Sequence, residues 1–196
     1  MKVQYPHRLF NFKINMACNL ALGRTLPCKD QIGGIKALYF CNVRPAVGYD
    51  ATDTDEIDEV GTITVFQYNL PNNSGALAQT GTVSEQNGTA YFAQSLTLNL
   101  TTLTKEDHKE LKLMQQTKPR VFVLDNNDNL FLMGLNFGCM VAVNVNTGQA
   151  KADLTGYSLT ITAEELAPAN FLTRTAGEGT SGYPFDNVTG TVTITT

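Results

Sequence analysis

Apolar and polar residues alternate along most of this chain. From Phe92 the even positions Phe92, Leu96, Leu98 and Leu100 are apolar, whereas the odd positions Tyr91, Ala93, Ser95, Thr97 and Asn99 are mostly small or polar. A repeat of two sends successive side chains to opposite faces, so this stretch predicts a strand with one buried face. The same alternation runs through Cys139, Val141, Val143 and Val145, through Tyr157, Leu159 and Ile161, and through Val192 and Ile194. Ile35 to Val43 and Thr62 to Tyr68, rich in β-branched and aromatic residues, predict two further strands. Together they predict a mainly β, mainly antiparallel domain.

Two segments break the alternation informatively. Val121-Phe122-Val123-Leu124 and Leu130-Phe131-Leu132-Met133 flank Asp125-Asn126-Asn127-Asp128-Asn129, whose residues favour turns, so a hairpin is predicted. Both of its arms are apolar on both faces, which requires a cover on each side: a helix, or a neighbouring copy of the chain. The one helix predicted runs from Lys105 to about Gln116. Thr104 is its N-cap, Glu106 and Asp107 suit its positive end, and Pro119 stops it. Leu111, Leu113 and Met114 form a narrow apolar stripe, enough to cover part of a sheet but not to build a core. The expected architecture is an antiparallel β-sandwich or half-barrel with one packed helix. An N-terminal arm, residues 1–15, precedes a single domain over 16–196, which contains an acidic loop at 45–60 and a flexible Gly-rich segment at 176–185.

Composition fits a chain able to bury a core: 196 residues, 42% hydrophobic. Only 16% are charged, and the net charge is −4, so the whole molecule is no polycation for nucleic acid. The charge is laid out in blocks. Residues 1–44 carry seven bases against Asp30 alone, a net of +6; residues 45–60 carry six acids and no base, a net of −6. Opposite blocks on one molecule suit head-to-tail contact between copies, and equally suit a solvated basic arm followed by a solvated acidic loop. The opening residues contain no apolar run of signal-peptide type, and no stretch approaches the 18 apolar residues of a membrane span. With no secretion signal expected, Cys18, Cys28, Cys41 and Cys139 are read as reduced structural thiols, although a bridge between Cys18 and Cys28 is conceivable.

Searches for chemistry return little. Gly177-Glu178-Gly179-Thr180-Ser181-Gly182 spells G-x-G-x-x-G, yet Pro184 follows where a helix should begin. Asp125-x-Asn127-x-Asn129 opens like a calcium loop, but Leu130 stands where Gly is needed and Asn136 where a bidentate Glu is needed. The acids at 53–59 lack the spacing of a calcium loop, and neither His7 nor His108 stands at zinc-ligand spacing from a cysteine. Glu164 and Glu165 are neighbours on a strand and point to opposite faces, so they form no acid–base pair. The sequons at Asn72, Asn87, Asn99 and Asn187 are what abundant Asn and Thr give by chance. No enzyme, cofactor or metal is expected.

Several phrases carry a resemblance. Met16-Ala-Cys-Asn-Leu through Leu26-Pro-Cys-Lys-Asp30 leads into Ile32-Gly-Gly-Ile-Lys and the strand Ala37 to Cys41; Asn87-Gly-Thr-Ala-Tyr-Phe, Asp125 to Gly134 and Asp153-Leu-Thr-Gly-Tyr-Ser-Leu-Thr-Ile-Thr-Ala-Glu-Glu follow. In this order, over residues 16–170, the chain is similar to bacteriophage virion proteins of the tail-tube type. The resemblance implies a β-sandwich flanked by one helix, with six copies closing into a ring lined by a continuous β-barrel. Such rings stack into a tube, contact other tail or neck proteins, and pass DNA without sequence-specific binding or a membrane. It also implies a virion location for a protein made in the bacterial cytoplasm. Asp53, Asp55, Glu56, Asp58 and Glu59 of the acidic loop, Lys13 and Arg24 of the basic region, and Phe122, Leu124, Phe131 and Met133 of the hairpin are then the expected subunit contacts. The alternatives are another virion component (neck, terminator or capsid decoration) and a glycan- or receptor-binding β-sandwich, since Thr-rich sandwiches with acidic loops also bind sugars.

Overall fold

The hairpin that is apolar on both faces organises the molecule. The computed structural model describes residues 23, 24, 29, 31–53, 55–71 and 74–196. The chain divides into two compact units, 1–30 and 31–196, and the fold described here is that of the second. Lys13, Cys18 and Cys28 lie outside the described residues, as does the 1–15 arm.

The first sheet is built from β1 (Ile35–Cys41), β2 (Gly48–Tyr49), β3 (Glu56–Asn69), β6 (Arg120–Asp125), β7 (Leu130–Met133), β10 (Asn170–Leu172) and β11 (Thr189–Thr195). Its strands run in the order β1-β6-β7-β10-β3-β11, and β1 also pairs with the far end of β3, Phe40 opposite Phe66. That last pairing closes β1, β6, β7, β10 and β3 into a barrel, one step beyond the half-barrel expected. Closure leaves these five strands an inside and an outside. Ala37, Tyr39 and Cys41 of β1, Phe122 and Leu124 of β6, and Leu130 and Leu132 of β7 fill the inside with Ile57, Ile63 and Val65 of β3. Two pairings are parallel, β10 and β11 against β3, and the others are antiparallel, so the domain is mainly antiparallel as its alternation predicts. Where β11 joins β3 the register shifts, and Gly190 packs so closely on Gly61 that a Cβ there would strike the Gly61 carbonyl. Both glycines have positive φ, +140° and +66°; at Gly190 a side chain is excluded by space and by conformation, at Gly61 by conformation alone.

The second sheet holds β4 (Gly75–Ser84), β5 (Thr89–Thr101), β8 (Met140–Asn146) and β9 (Gly156–Glu165), in the order β4-β5-β9-β8 and wholly antiparallel. Its inner positions Leu96, Leu98, Tyr157, Leu159 and Ile161 pack on the outside of the barrel, against Leu38, Phe40, Val121, Val123 and Met133. The two faces of β6 and β7 therefore serve two cores in one chain. This corrects the expectation that a neighbouring copy covers the hairpin: Phe122, Leu124 and Met133 are each 0% exposed.

The single helix among the described residues, α1 (Lys105–Gln116), lies beside β8. The Thr104 hydroxyl accepts from the Asp107 backbone N–H at 3.0 Å, as its N-cap role requires. Of the stripe, Leu111 is buried, Met114 packs half-buried against the same core, and Leu113 is exposed.

Two expected loops are more ordered than their composition suggests. The acidic segment 45–60 is not one loop, because β3 already begins at Glu56 and its Ile57 sits in the barrel core. What remains is a turn: the Asp50 carboxylate accepts from the Thr52 and Asp53 N–H groups at 2.7 and 2.9 Å. Those donors, Asp53 first, hold its carboxyl below the usual carboxylate range. The Gly-rich segment 176–185, expected to be flexible, is pinned at both ends of its aromatic tail. Phe185 is buried edge-on against Tyr39 and Phe122, with centroids 5.4 and 5.2 Å away, and plugs the barrel. Tyr183 donates its hydroxyl proton to Asp128 at 2.6 Å and accepts from Lys36 Nζ at 3.0 Å. Lys36 also pairs with Glu178 at 2.8 Å, and these partners, Glu178 first, hold its ammonium above the ordinary lysine value.

Candidate assembly surface

The second sheet covers the barrel with one face and leaves the other bare. Read across the strands, one row of outward positions is Ala76, Thr97, Thr160 and Ala142, and the next is Ala78, Ser95, Thr162 and Met140. Glu164 is the one charged side chain among the outward positions of these four strands. An exposed sheet face normally carries Lys, Arg and Glu, so this neutral plane of Thr, Ser, Ala and Asn is unusual. The alternation read in β5 and β9 produces it directly, because every second residue of those strands is small and uncharged.

Among the described residues, both borders of this sheet are unpaired along their outer sides, β4 at one and β8 at the other. Free strand borders present unused N–H and C=O groups and are normally guarded by charge, proline or a bulge. Neither β4 (GALAQTGTVS) nor β8 (MVAVNVN) contains a charge or a proline. Helix α1 packs near β8, but Met140 and Val145 of that strand stay exposed at 63% and 49%.

The β4–β5 hairpin projects beyond the sandwich. β9 reaches β5 only as far as Phe92, whereas β4 and β5 stay paired to Ser84 and Thr89. The tip is a two-stranded ribbon exposed on both faces, with Val83 76% accessible. Such ribbons are marginally stable alone.

The expected contact residues divide into three groups. Asp53, Asp55 and Glu56 are brought together at the rim of a cavity of about 200 Å³, shared with Asn129, Arg174 and the exposed ring of Phe171. Phe131 stands behind it, 4.5 Å from Phe171 between centroids, and is itself partly buried. Asp58 and Glu59 follow on β3 beside Gly48, half-buried and exposed respectively. Arg24 is exposed. Phe122, Leu124 and Met133 have no surface to offer another copy.

No known protein family, curated protein or solved structure matches the chain.

Sequence reasoning missed β4 and its border altogether. Small and polar residues from Gly75 to Ser84 give no apolar alternation, and the only local sign of the hairpin is Asn87-Gly88, a turn pair. It also passed over Gln94, a polar residue at an inward position of β5. Gln94 is 2% exposed and accepts from the Gly134 N–H at 3.1 Å, tying the β7–β8 loop to the second sheet. The glutamate pair behaves as its strand position requires: Glu164 faces out, and Glu165 turns inward. Among the described residues no helix is long and apolar enough to cross a membrane, and no group of three or more His, Cys, Asp or Glu could hold a metal ion. Cys41 and Cys139 are free and buried; burial raises both thiols, Cys139 to about 12.

Proposed function

We propose that this chain is a non-enzymatic structural protein that assembles with its own copies into stacked rings, as a subunit of a phage tail tube. The supporting observation is the second sheet, with two unguarded borders and a bare, neutral face. Pairing β4 of one copy with β8 of the next removes both borders at once and prolongs the sheet around a ring. The face, with Glu164 as its one charge, would then form a wall along which DNA moves without electrostatic capture. The projecting β4–β5 tip would reach the adjacent ring. In this reading the protein resides in the virion, and its partners are itself and other tail or neck components.

Electron microscopy and sedimentation of the purified full chain test the reading. Rings or tubes are expected; a monodisperse monomer at the highest attainable concentration overturns it. A specific observation favours a second reading, a glycan-binding module. The exposed Phe171 ring beside Asp53, Asp55, Asn129 and Arg174 offers a sugar both a stacking face and hydrogen-bonding groups. A monomer that binds a glycan array, and loses binding in Phe171→Ala, would select it.

A further inference from the structure

The tip of the β4–β5 hairpin holds Asn87 and Gly88, the only Asn–Gly pair in the chain. They end the turn Glu85-Gln86-Asn87-Gly88, which joins Ser84 to Thr89, the last paired residues of the two strands. All four turn residues are exposed. Gly88 has φ +60°, and a Cβ placed on it would meet nothing within 4 Å, so the space around its backbone is open. Among the described residues the Asn87 side chain makes no hydrogen bond; only its backbone N–H is held, by Ser84 Oγ at 3.4 Å. The Gly88 N–H lies outside both strands and donates to no group among the described residues.

The other described asparagines differ in one of two ways. Asn126, Asn127, Asn129, Asn146, Asn170 and Asn187 each tie their Nδ2 group into a hydrogen bond of 2.7–3.0 Å. Asn42, Asn69, Asn99, Asn136 and Asn144 precede valine, leucine or phenylalanine, whose side chains crowd the next backbone nitrogen. Asn87 alone combines a free amide, an uncrowded neighbour and full exposure.

We propose that Asn87 is a site of spontaneous deamidation, a modification that needs no enzyme. The Gly88 backbone nitrogen attacks Asn87 Cγ. The N–Cγ bond forms, the Cγ–Nδ2 bond breaks, and the amide group leaves as ammonia, taking up the proton lost from the Gly88 N–H. One water molecule then opens the cyclic imide at either carbonyl, giving aspartate or isoaspartate. Both products set a new carboxylate near Glu85, otherwise the single charge between Gly75 and Thr101. Isoaspartate also routes the main chain through the former side-chain carbon, lengthening a turn that fixes the strand register. Beyond Phe92 the ribbon has no support from β9, so loosening begins at the tip and ends where the third strand takes over. The inference stands on the exposed turn alone and does not depend on how the protein assembles.

The test is incubation of the full chain, folded and in guanidinium, at neutral and mildly alkaline pH. Isoelectric focusing should show a more acidic species accumulating, faster at the higher pH because the attacking nitrogen must shed its proton. Peptide mass mapping should place the first amide-to-acid conversion at Asn87, and isoaspartyl methyltransferase should label the same peptide. Folded and unfolded chains should convert Asn87 at similar rates, whereas the hydrogen-bonded asparagines should convert only when unfolded. In Asn87→Gln the early acidic species should disappear. Hydrogen exchange of the aged protein should show faster exchange at Val83, Ala90 and Tyr91, with Leu96 and Ile161 unchanged. A first conversion at any other asparagine overturns the proposal, as does a folded-state rate at Asn87 far below the unfolded one. Should Asn87→Gln fail to fold, that comparison of rates in the wild-type chain decides.

Discussion

The barrel and the second sheet are made of the same kinds of strand and finished to different degrees. The barrel closes on itself through β1 and β3, fills with aromatic and branched side chains, and is sealed at one end by Phe185. The second sheet packs one face on the barrel and stops, leaving two free borders and a neutral plane. Apolar residues alone therefore do not mark where a protein meets its partners. The most hydrophobic segment here, the β6–β7 hairpin, is the best sheltered, whereas the surface proposed for association is built from threonine, serine and alanine. Unsatisfied backbone at a sheet border is the stronger sign.

The sharpest way to break the comparison is to mutate both regions and read stability. Phe122→Ala, emptying a fully buried site in the barrel, should lower unfolding free energy by about 3–5 kcal/mol in denaturant titration. Thr160→Lys, on the bare face, should change it by no more than about 0.5 kcal/mol while placing a positive charge on the proposed ring wall. If Thr160→Lys destabilises as severely as Phe122→Ala, the face is not free surface.

A titration sharpens the picture at the core between the two regions. Cys139 is raised from 9.0 to about 12, burial first and the Glu165 charge second. A raised thiol stays protonated in the fold while the unfolded chain ionises, so its stabilisation is intact below about pH 9 and declines as pH rises toward 12. Unfolding followed across that window should show stability falling with pH, less steeply in Cys139→Ala. A thiol reagent should label Cys139 only at the rate of unfolding. The residual slope belongs to the other raised groups: Tyr39, lifted by burial from 10.0 to about 12, with Cys41, Tyr49, Tyr68, Tyr183 and Lys36.

The smallest effect concerns the latch over the barrel end. Lys36→Met removes the contacts to Glu178, Asp128 and Tyr183, all partly in solvent. The expected loss is below about 1 kcal/mol, fading as salt is added, because solvent screens such pairs. A loss as large as that of Phe122→Ala would mean that the latch, rather than aromatic packing, holds the plug in place.

Much of this architecture is written locally. The strands β5 and β9 follow from alternation, and α1 from Thr104, Asp107 and Pro119, because each depends on neighbours a few residues away. Barrel closure is not local. It requires Phe40 to meet Phe66 and Phe171 to meet both Phe131 and Glu56, and no periodic pattern encodes such pairings. An apolar run with both faces covered reads the same whether the second cover is another molecule or the inside of a barrel, which is why the hairpin suggested a neighbour. The Gly-rich stretch misled in the opposite direction: its glycines announce freedom, but Tyr183 and Phe185 among them take it away. The acidic rim was legible as charge, while its companions Phe171 and Arg174 lie more than a hundred residues further along the chain and only the fold unites them.

The position of Phe185 also dictates a timetable. Tyr39 and Phe122, the rings it packs against, leave the ribosome long before it, and β10, which completes the wall, comes only shortly before it, so a growing chain carries an open, unstoppered wall through most of its synthesis. Long-range pairings of this sort are slow to form, and greasy intermediates are exposed in the meantime. Fragments ending before Phe185 should accordingly be prone to clumping and to capture by chaperones, even though they retain every residue of the four-stranded sheet.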